Sequence, residues 1–168
     1  MDSNNNEKLK ALIAELLGKM GFETEIHERA EEGRVVFNVR CKDAQLLIGK
    51  QGATLESLQH IVRLFARKAL VDEKFSFGID IDDYRDKRVI YLKELARKAA
   101  HQVRESGQSV SLSPMPAYER RIIHNYLSLY SDLSSESTGK DPNRRIVVKN
   151  KGSKASKADE PFTFIENS

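Results

Sequence analysis

The chain has 168 residues, of which 39% are hydrophobic and 32% are charged, and it carries a net charge of +3. This length allows one medium domain or two small ones, and the composition is that of a globular chain with a large surface. The single cysteine, Cys41, excludes a disulfide framework and a cysteine-based metal site.

Two further features bear on where the chain acts. Its polar, acidic N-terminus has none of the features of a signal peptide. No apolar run reaches the roughly eighteen residues that a membrane span needs. The sequence therefore predicts a cytoplasmic protein without a membrane partner.

Charge is distributed unevenly along the chain. Acidic residues concentrate in about the first thirty positions, whereas basic residues gather from Arg34 onward. This uneven distribution of charge suits a protein with one face that binds a polyanion. An ordinary solvated surface can have the same numbers of acidic and basic residues.

The first half of the chain predicts a small α+β domain. Apolar spacing and turn residues indicate, in order, a helix over 7–20, strands over 22–29 and 34–41, helices over 44–48 and 54–70, and a strand over 75–81. Asp43 is placed to cap the short helix. The buried stripe of the long helix is expected at Leu55, Leu58, Val62, Phe65 and Ala69. A three-stranded sheet with three helices on one face would complete this domain.

The second half predicts another small α+β domain that follows without a linker. Asp82 and Asp83 are placed to cap a helix that begins at Tyr84. The later elements are expected as a strand over 108–112, a helix over 117–130 and strands over 133–137 and 144–149. Residues from 150 onward are predicted to form a disordered basic tail, in which 162–165 is either a docked strand or a frayed end.

The most informative stretch is Gly49-Lys50-Gln51-Gly52, which separates two predicted helices. Two glycines allow a ligand to lie against the backbone, and the amides that start the following helix carry the positive end of its dipole. Lys50 adds a mobile positive charge at the same place. The pattern indicates a phosphate-binding turn, although glycine also ends many helices that bind nothing.

A second candidate site lies on the helix predicted over 117–130. Arg120 and His124 are one turn apart, so they are expected to share a flank outside the buried stripe, with Arg121 beside them. An arginine and an imidazole in this arrangement can hold a phosphate and can stack on a base. A surface arginine and a surface histidine without a role are the simpler alternative.

No catalytic or metal site is predicted. A P-loop needs four residues between its glycines and a Lys-Ser or Lys-Thr pair after the second, and this chain has neither. Helix capping explains the acidic cluster of Asp80, Asp82, Asp83 and Asp86. The four histidines have no metal-ligand spacing. The sequence therefore predicts neither an enzyme nor a cofactor.

Several of these motifs together resemble a known family. The run Leu47-Ile48-Gly49-Lys50-Gln51-Gly52, followed by Thr54 and Leu55, resembles a KH domain of the second, bacterial topology. The R-three-H domain is named for an arginine and a histidine separated by three residues. Four runs in the second half of this chain resemble that domain. They are Asp82-Asp83-Tyr84-Arg85, Pro114-Met115, Glu119-Arg120-Arg121-Ile122-Ile123-His124 and Arg144-Arg145-Ile146-Val147-Val148. In tandem, the two resemble the bacterial Jag family, also called the KhpB family, over residues 7–149.

This resemblance implies a domain organisation. A KH domain is expected over 7–82, an R-three-H domain over 83–149 and a tail over 150–168. The implied fold class is α+β, with two small α/β sandwich domains in tandem. The first has a three-stranded sheet with three helices, and the second has helices on a short three-stranded sheet. Many members of the family begin with a further small domain, which this chain is expected to lack.

The resemblance also implies where RNA binds. The GxxG turn, formed by Gly49, Lys50, Gln51 and Gly52, is expected to clamp the backbone of about four single-stranded nucleotides. The bases would lie in a groove beside an edge strand near 35–39. In the second domain, the residues implied to hold phosphate, directly or in support, are Arg120, His124, Arg121, Arg144 and Arg145. Arg34 or Arg40 could flank the first groove.

The sequence therefore predicts a non-enzymatic protein that binds single-stranded RNA and acts as an RNA chaperone or post-transcriptional regulator in bacteria. Two alternatives stay open. The chain could be an assembly module whose KH domain pairs with another small KH protein. It could also bind single-stranded DNA, because discrimination by the 2′-hydroxyl depends on details of the groove.

Overall fold

The computed structural model describes residues 3–31, 33–69, 76–151 and 162–163. The helices are Ser3–Lys19 (α1), Ala44–Ile48 (α2), Ala53–Ala69 (α3), Tyr84–Ser106 (α4) and Ala117–Leu127 (α5). The strands are Thr24–Glu31 (β1), Arg34–Cys41 (β2), Phe77–Ile81 (β3), Val110–Ser111 (β4), Leu133–Thr138 (β5), Arg145–Asn150 (β6) and Phe162–Thr163 (β7). The chain forms two compact units and passes from one to the other between Arg85 and Asp86.

The first unit is a three-stranded sheet in the order β1-β2-β3, with α1, α2 and α3 packed on one face. β1 and β2 are antiparallel, whereas β2 and β3 are parallel. The parallel pairing requires a crossover, which α2 and α3 provide. Phe37 and Ile79 from the sheet, Ile13 from α1 and Val62 from α3 are fully buried in the shared core. The predicted sheet with three helices on one face is confirmed.

The opposite face of this sheet is polar. Cross-strand partners lie on the same face, so His27, Asn38 and Asp80 lie together there, and Nη2 of Arg29 lies 3.8 Å from Oδ2 of Asp80. The Asn38 amide donates to Oδ1 of Asp83 at 2.7 Å, and the Arg40 guanidinium donates to Oδ2 of Asp83 at 2.7 Å. These contacts hold the connection into α4, in which Asp83 has a φ of 56°.

The expected capping of α4 by Asp82 and Asp83 stays a prediction, and the carboxylate of Asp83 accepts hydrogen bonds from Asn38 and Arg40. Asp80 also lies at the start of this helix, where its Oδ1 accepts from the backbone N–H of Arg85 at 3.3 Å. Asp80 is completely buried. Desolvation raises the pKa of Asp80 above its usual value, and the backbone donors of Ile81 and Arg85 oppose that rise.

The second unit contains a sheet in the order β5-β6-β4-β7. β5 and β6 form an antiparallel hairpin, and β4 pairs antiparallel with β6. β7 pairs parallel with β4, so the short segment at 162–163 is a docked strand and extends the predicted three-stranded sheet by one. The remaining tail residues, 152–161 and 164–168, lie outside the described residues.

A buried ion pair joins the N-terminal ends of α4 and α5. Arg88 donates from Nε to Oε1 of Glu119 at 2.7 Å and from Nη2 to Oε2 at 3.1 Å. Glu119 is fully buried, and Oε1 also accepts from the hydroxyl of Tyr118 at 3.2 Å. Removing one partner of such a pair typically costs about 3–5 kcal/mol, because the other charge stays buried without compensation.

Three local expectations differ from the structure. Phe65 is 47% exposed, and Ala66 takes the predicted core position, because the buried stripe of α3 follows the helical period from Leu55 through Val62. Asp43 makes no side-chain hydrogen bond to α2. α5 ends at Leu127, three residues before the predicted end. Leu70 and Phe75, at the predicted ends of a helix and a strand, lie outside the described residues.

Candidate nucleic-acid interface

The GxxG turn is a 3₁₀ turn, Lys50–Gly52, inserted between α2 and α3. Gly49 has φ 70° and ψ −176°, a combination that is open almost only to glycine. Gln51 and Gly52 also have positive φ values, of 52° and 82°. The backbone N–H of Gly49 donates to the carbonyl of Gln45 at 2.9 Å, which ends α2. Three of four consecutive residues therefore adopt left-handed conformations.

Gly49 has no room for a side chain. A Cβ at this position would collide with the hydroxyl of Thr54 and would lie 2.9 Å from the Thr54 backbone nitrogen. That nitrogen belongs to the first turn of α3 and cannot move without displacing the helix. The glycine therefore sets how closely the end of α2 approaches the start of α3.

Gly52 is confined by a different neighbour. It is buried, and a Cβ there would lie 2.9 Å from Cε1 of Tyr84 and 3.3 Å from its hydroxyl oxygen. Tyr84 is the first residue of α4 and packs on the core of the first unit. Its ring packs against the turn on the side of the core. Substitution of Gly52 would therefore disturb the fold as well as the binding of any ligand.

The outer positions of the turn are the ones that can meet a ligand. Lys50 is exposed and Gln51 is half-buried. The N–H groups of Gly52 and Ala53 donate to the carbonyls of Gly49 and Lys50, so these two amides are used within the turn. A phosphate would therefore meet the Lys50 ammonium and the positive end of α3 as a whole.

The strand beside these helices is β3 and not β2. β3 forms one edge of the sheet and contacts both α2 and α3, whereas β2 lies at the centre. The predicted groove near 35–39 is therefore wrong. Arg34 and Arg40 also lie away from the helices, on the polar face, where they contact Glu31 and Asp83. Exposed Leu46 of α2 provides apolar surface close to the turn.

In the second unit, Arg120 and His124 are not a matched surface pair. Arg120 is only 6% exposed, and its Nη2 lies 3.6 Å from Oδ1 of Asp141 in the β5–β6 turn. Among the described residues, its Nη1 has no hydrogen-bond partner. The expectation of an exposed Arg120 is wrong, because the β5–β6 turn covers that flank of α5.

His124 lies on the exposed side of α5. Its Nδ1 is 2.7 Å from the hydroxyl of Ser135 in β5, and this contact fixes the orientation of the imidazole ring. Arg121, Arg144 and Arg145 are also exposed. The structure therefore leaves four of the five predicted residues of this surface accessible to solvent.

The supporting roles of three residues were not predicted from the sequence. Tyr84 supports the glycine turn, Glu119 anchors α5, and Ser135 orients His124. The role of Glu119 could have been predicted, since a glutamate on the inward side of an amphipathic helix requires a buried partner. Contacts of Tyr84 and Ser135 depend on tertiary packing between separate elements.

Other kinds of site find no support in the part of the chain that the structure describes. Over residues 3–31, 33–69, 76–151 and 162–163, no group of three or more His, Cys, Asp or Glu side chains could hold a metal ion. Within the same ranges, no helix is long and apolar enough to cross a membrane.

Comparisons with known proteins match both units. A family model for the KhpA/KhpB KH domain matches residues 6–79, and one for the R-three-H domain matches residues 91–150. Three similar proteins are each named RNA-binding protein KhpB. The one from Clostridium symbiosum is 34% identical over 144 residues, which cover 84% of this chain and 64% of that protein.

The second, from Lactiplantibacillus plantarum, is 38% identical over 103 residues, covering 61% of this chain and 32% of that protein. The third, from Bacillus subtilis, is 31% identical over 147 residues, covering 86% of this chain and 70% of that protein. The chain thus spans less than two thirds of the first two relatives. All three names describe RNA-binding proteins.

The steric contacts of the turn predict that Gly49→Ala destabilises the protein by about 2 kcal/mol or more, through backbone strain and overpacking against Thr54. Urea unfolding would measure the change. Gly18→Ala is the matched control, because no atom lies within 4 Å of its Cβ position. That control should be neutral or slightly stabilising, since alanine favours a helix over glycine. Equal stability of the two variants would contradict the steric role of Gly49.

Proposed function

Because this chain belongs to the KhpB family, we propose that it binds single-stranded RNA through two surfaces, the GxxG turn and the exposed side of α5. The glycine turn carries the proposal. Its two glycines are held between Thr54 and Tyr84, and Lys50 stands exposed at its outer edge. A rigid turn with a cation at its edge loses little entropy when a nucleic-acid backbone binds.

At the first surface, the turn binds the sugar–phosphate backbone. Lys50 contributes the charge, α3 contributes its dipole, and Gln51 contributes an amide that can donate to phosphate oxygens. Gly49 and Gly52 act by allowing the positive φ values and the close contacts with Thr54 and Tyr84 that set the shape of the turn. Bases then lie toward the edge strand β3, beside the exposed Leu46.

At the second surface, the exposed cations bind phosphate. His124, oriented by Ser135, lies on the same helix as Arg121, while Arg144 and Arg145 lie at the start of β6. Arg120 acts from behind this surface, because its buried guanidinium approaches the β5–β6 turn at Asp141. Its part in RNA binding is to hold that turn against α5.

Two binding surfaces on one chain raise the effective concentration of each for the same strand. The protein then acts in the cytoplasm without catalysis, as an RNA chaperone or post-transcriptional regulator. Competition between RNA and DNA oligonucleotides of matched sequence tests whether the 2′-hydroxyl contributes to binding. Equal affinities would mean that the protein binds single-stranded RNA and single-stranded DNA alike.

Pairing with a small KH protein is a second candidate function, favoured by a specific observation. Ile61, Leu64 and Phe65 of α3 are 43%, 52% and 47% exposed, and their spacing places them on one face of that helix. Three large apolar side chains grouped on one exposed face favour contact with another protein.

Reversal of the Lys50 charge tests the first surface. Lys50→Glu is expected to weaken binding of a single-stranded RNA about tenfold and to reduce the slope of log K against log salt, because a phosphate contact is lost. Fluorescence anisotropy at several salt concentrations would measure both. Lys10→Glu, on exposed α1, makes the same change in net charge elsewhere and should leave affinity nearly unchanged. If both variants lost the same RNA affinity, the effect of Lys50→Glu would come from the change in net charge and not from a contact at the turn.

The second surface predicts different outcomes for its two named residues. His124→Ala is expected to lower RNA affinity several-fold with no change in thermal stability, because the imidazole is exposed. Arg120→Ala is expected to lower stability by about 1–3 kcal/mol, through loss of buried packing and of its contact with Asp141. Thermal unfolding and anisotropy would be measured on both. A fully stable Arg120→Ala that binds RNA poorly would restore Arg120 as a direct contact.

The exposed face formed by Ile61, Leu64 and Phe65 predicts the effect of Leu64→Glu. This substitution is expected to abolish any pairing through that face, since a buried carboxylate is strongly unfavourable. Light scattering of the wild-type and variant proteins, each with and without nuclease, would measure the mass. A nuclease-resistant complex that persists in Leu64→Glu would place the protein contact elsewhere.

A further inference from the structure

A cavity of about 440 Å³ opens beside His124, between the C-terminal end of α5 and the start of β5. It lies wholly within the second unit. Leu127 and Leu133, which are buried, form its apolar inner wall, and Leu129 and Tyr130 form its outer wall. This size is within the range of pockets that bind small molecules, roughly 300–1,000 Å³.

The aromatic wall is held in place. The guanidinium carbon of Arg104 lies 4.7 Å from the ring centre of Tyr130, and Tyr126 packs edge-on against the same ring at 6.0 Å. Leu129, by contrast, is 78% exposed. A large apolar residue at the rim of a cavity is costly in water, and a flat ligand that covered it would remove that cost.

The polar lining is equally ordered. His124 is tied to Ser135, the Ser128 hydroxyl donates to the carbonyl of Asn125 at 2.8 Å, and the Ser134 hydroxyl donates to the carbonyl of Lys149 at 3.4 Å. A hydroxyl that donates its proton keeps lone pairs that can accept. The cavity thus combines an apolar wall with polar groups that can meet the edge of a planar heterocycle.

Charge at the rim favours a polyanion. Lys151 lines the cavity, and its backbone N–H donates to the carbonyl of Asp132 at 2.7 Å. The Asp132 carboxylate is held by Arg104, with Nε at 2.7 Å and Nη2 at 2.9 Å. That pairing lowers the pKa of Asp132 and compensates its negative charge. Repulsion of a nearby phosphate is therefore reduced.

We propose that this cavity is a nucleobase pocket, which takes one unstacked base of a bound single strand and lets Lys151 contact the adjoining phosphate. The inference rests on the proposed function and extends it, because the GxxG turn and the exposed arginines recognise backbone only. Single-stranded bases are commonly held by aromatic stacking together with hydrogen bonds to their edges. Tyr130, His124 and the serine hydroxyls supply both kinds of contact.

Leu129→Ser tests the pocket, because this side chain is exposed and its loss leaves the core intact. Binding of a fluorescent ten-nucleotide RNA is expected to weaken about five- to tenfold. Ile90→Ser is the matched control, since Ile90 is 64% exposed on α4 and lies outside the cavity lining. A second variant, Ser131→Glu, places a carboxylate at the rim and is expected to weaken binding at least as much.

An abasic strand of the same length separates base recognition from backbone recognition. Leu129→Ser and the wild-type protein are expected to bind the abasic strand equally, whereas Lys50→Glu should weaken binding of both strands. If Leu129→Ser binds the ten-nucleotide RNA like the wild type while Lys50→Glu is weakened, the pocket is overturned and the proposed function stands. If the wild-type protein binds no RNA at low salt, both are overturned.

Discussion

The steric confinement of two glycines is the constraint on which the first unit depends. Gly49 abuts the first turn of α3, and Gly52 abuts the ring of Tyr84. These contacts determine where α2 ends, where α3 begins and how α4 starts. A turn built by exclusion of side chains presents the same backbone surface whether or not a ligand is bound. The proposed binding of nucleic acid at this turn would therefore use packing that the fold already requires.

Local patterns allowed much of the fold to be predicted. The bounds of β2 and α2 agree with the sequence, because alternating and helical apolar spacing marks them clearly. Features set by tertiary packing could not be predicted. Three examples are the exposure of Phe65, the burial of Arg120 and the central position of β2. Each depends on which other element of the fold packs against that residue or strand. For the candidate site, residue identities were accessible from the motifs, whereas the supports Tyr84 and Ser135 were not.

The two candidate surfaces are built on different physical grounds. The glycine turn is a backbone surface whose shape is fixed by close contacts, and such a surface cannot distinguish one base from another. The side of α5 is a side-chain surface, in which His124 depends on Ser135 and the neighbouring cavity depends on Arg104 and Tyr130. Side chains in such networks can distinguish chemical groups that bare backbone cannot. The proposed division, in which one surface holds a strand and the other distinguishes its bases, rests on this difference.

The buried pair of Arg88 and Glu119 also bears on how the protein tolerates its surroundings. Ions in solution screen exposed charges strongly and enclosed charges weakly. Glu119 is fully enclosed and is bound to Arg88 through two hydrogen bonds, whereas Lys50, Arg121 and Arg144 are exposed to water. High ionic strength should therefore weaken any binding of polyanions to these surface charges while the junction of α4 and α5 stays intact. The buried charges that stabilise the fold are thus less sensitive to salt than the exposed charges proposed to contact a ligand.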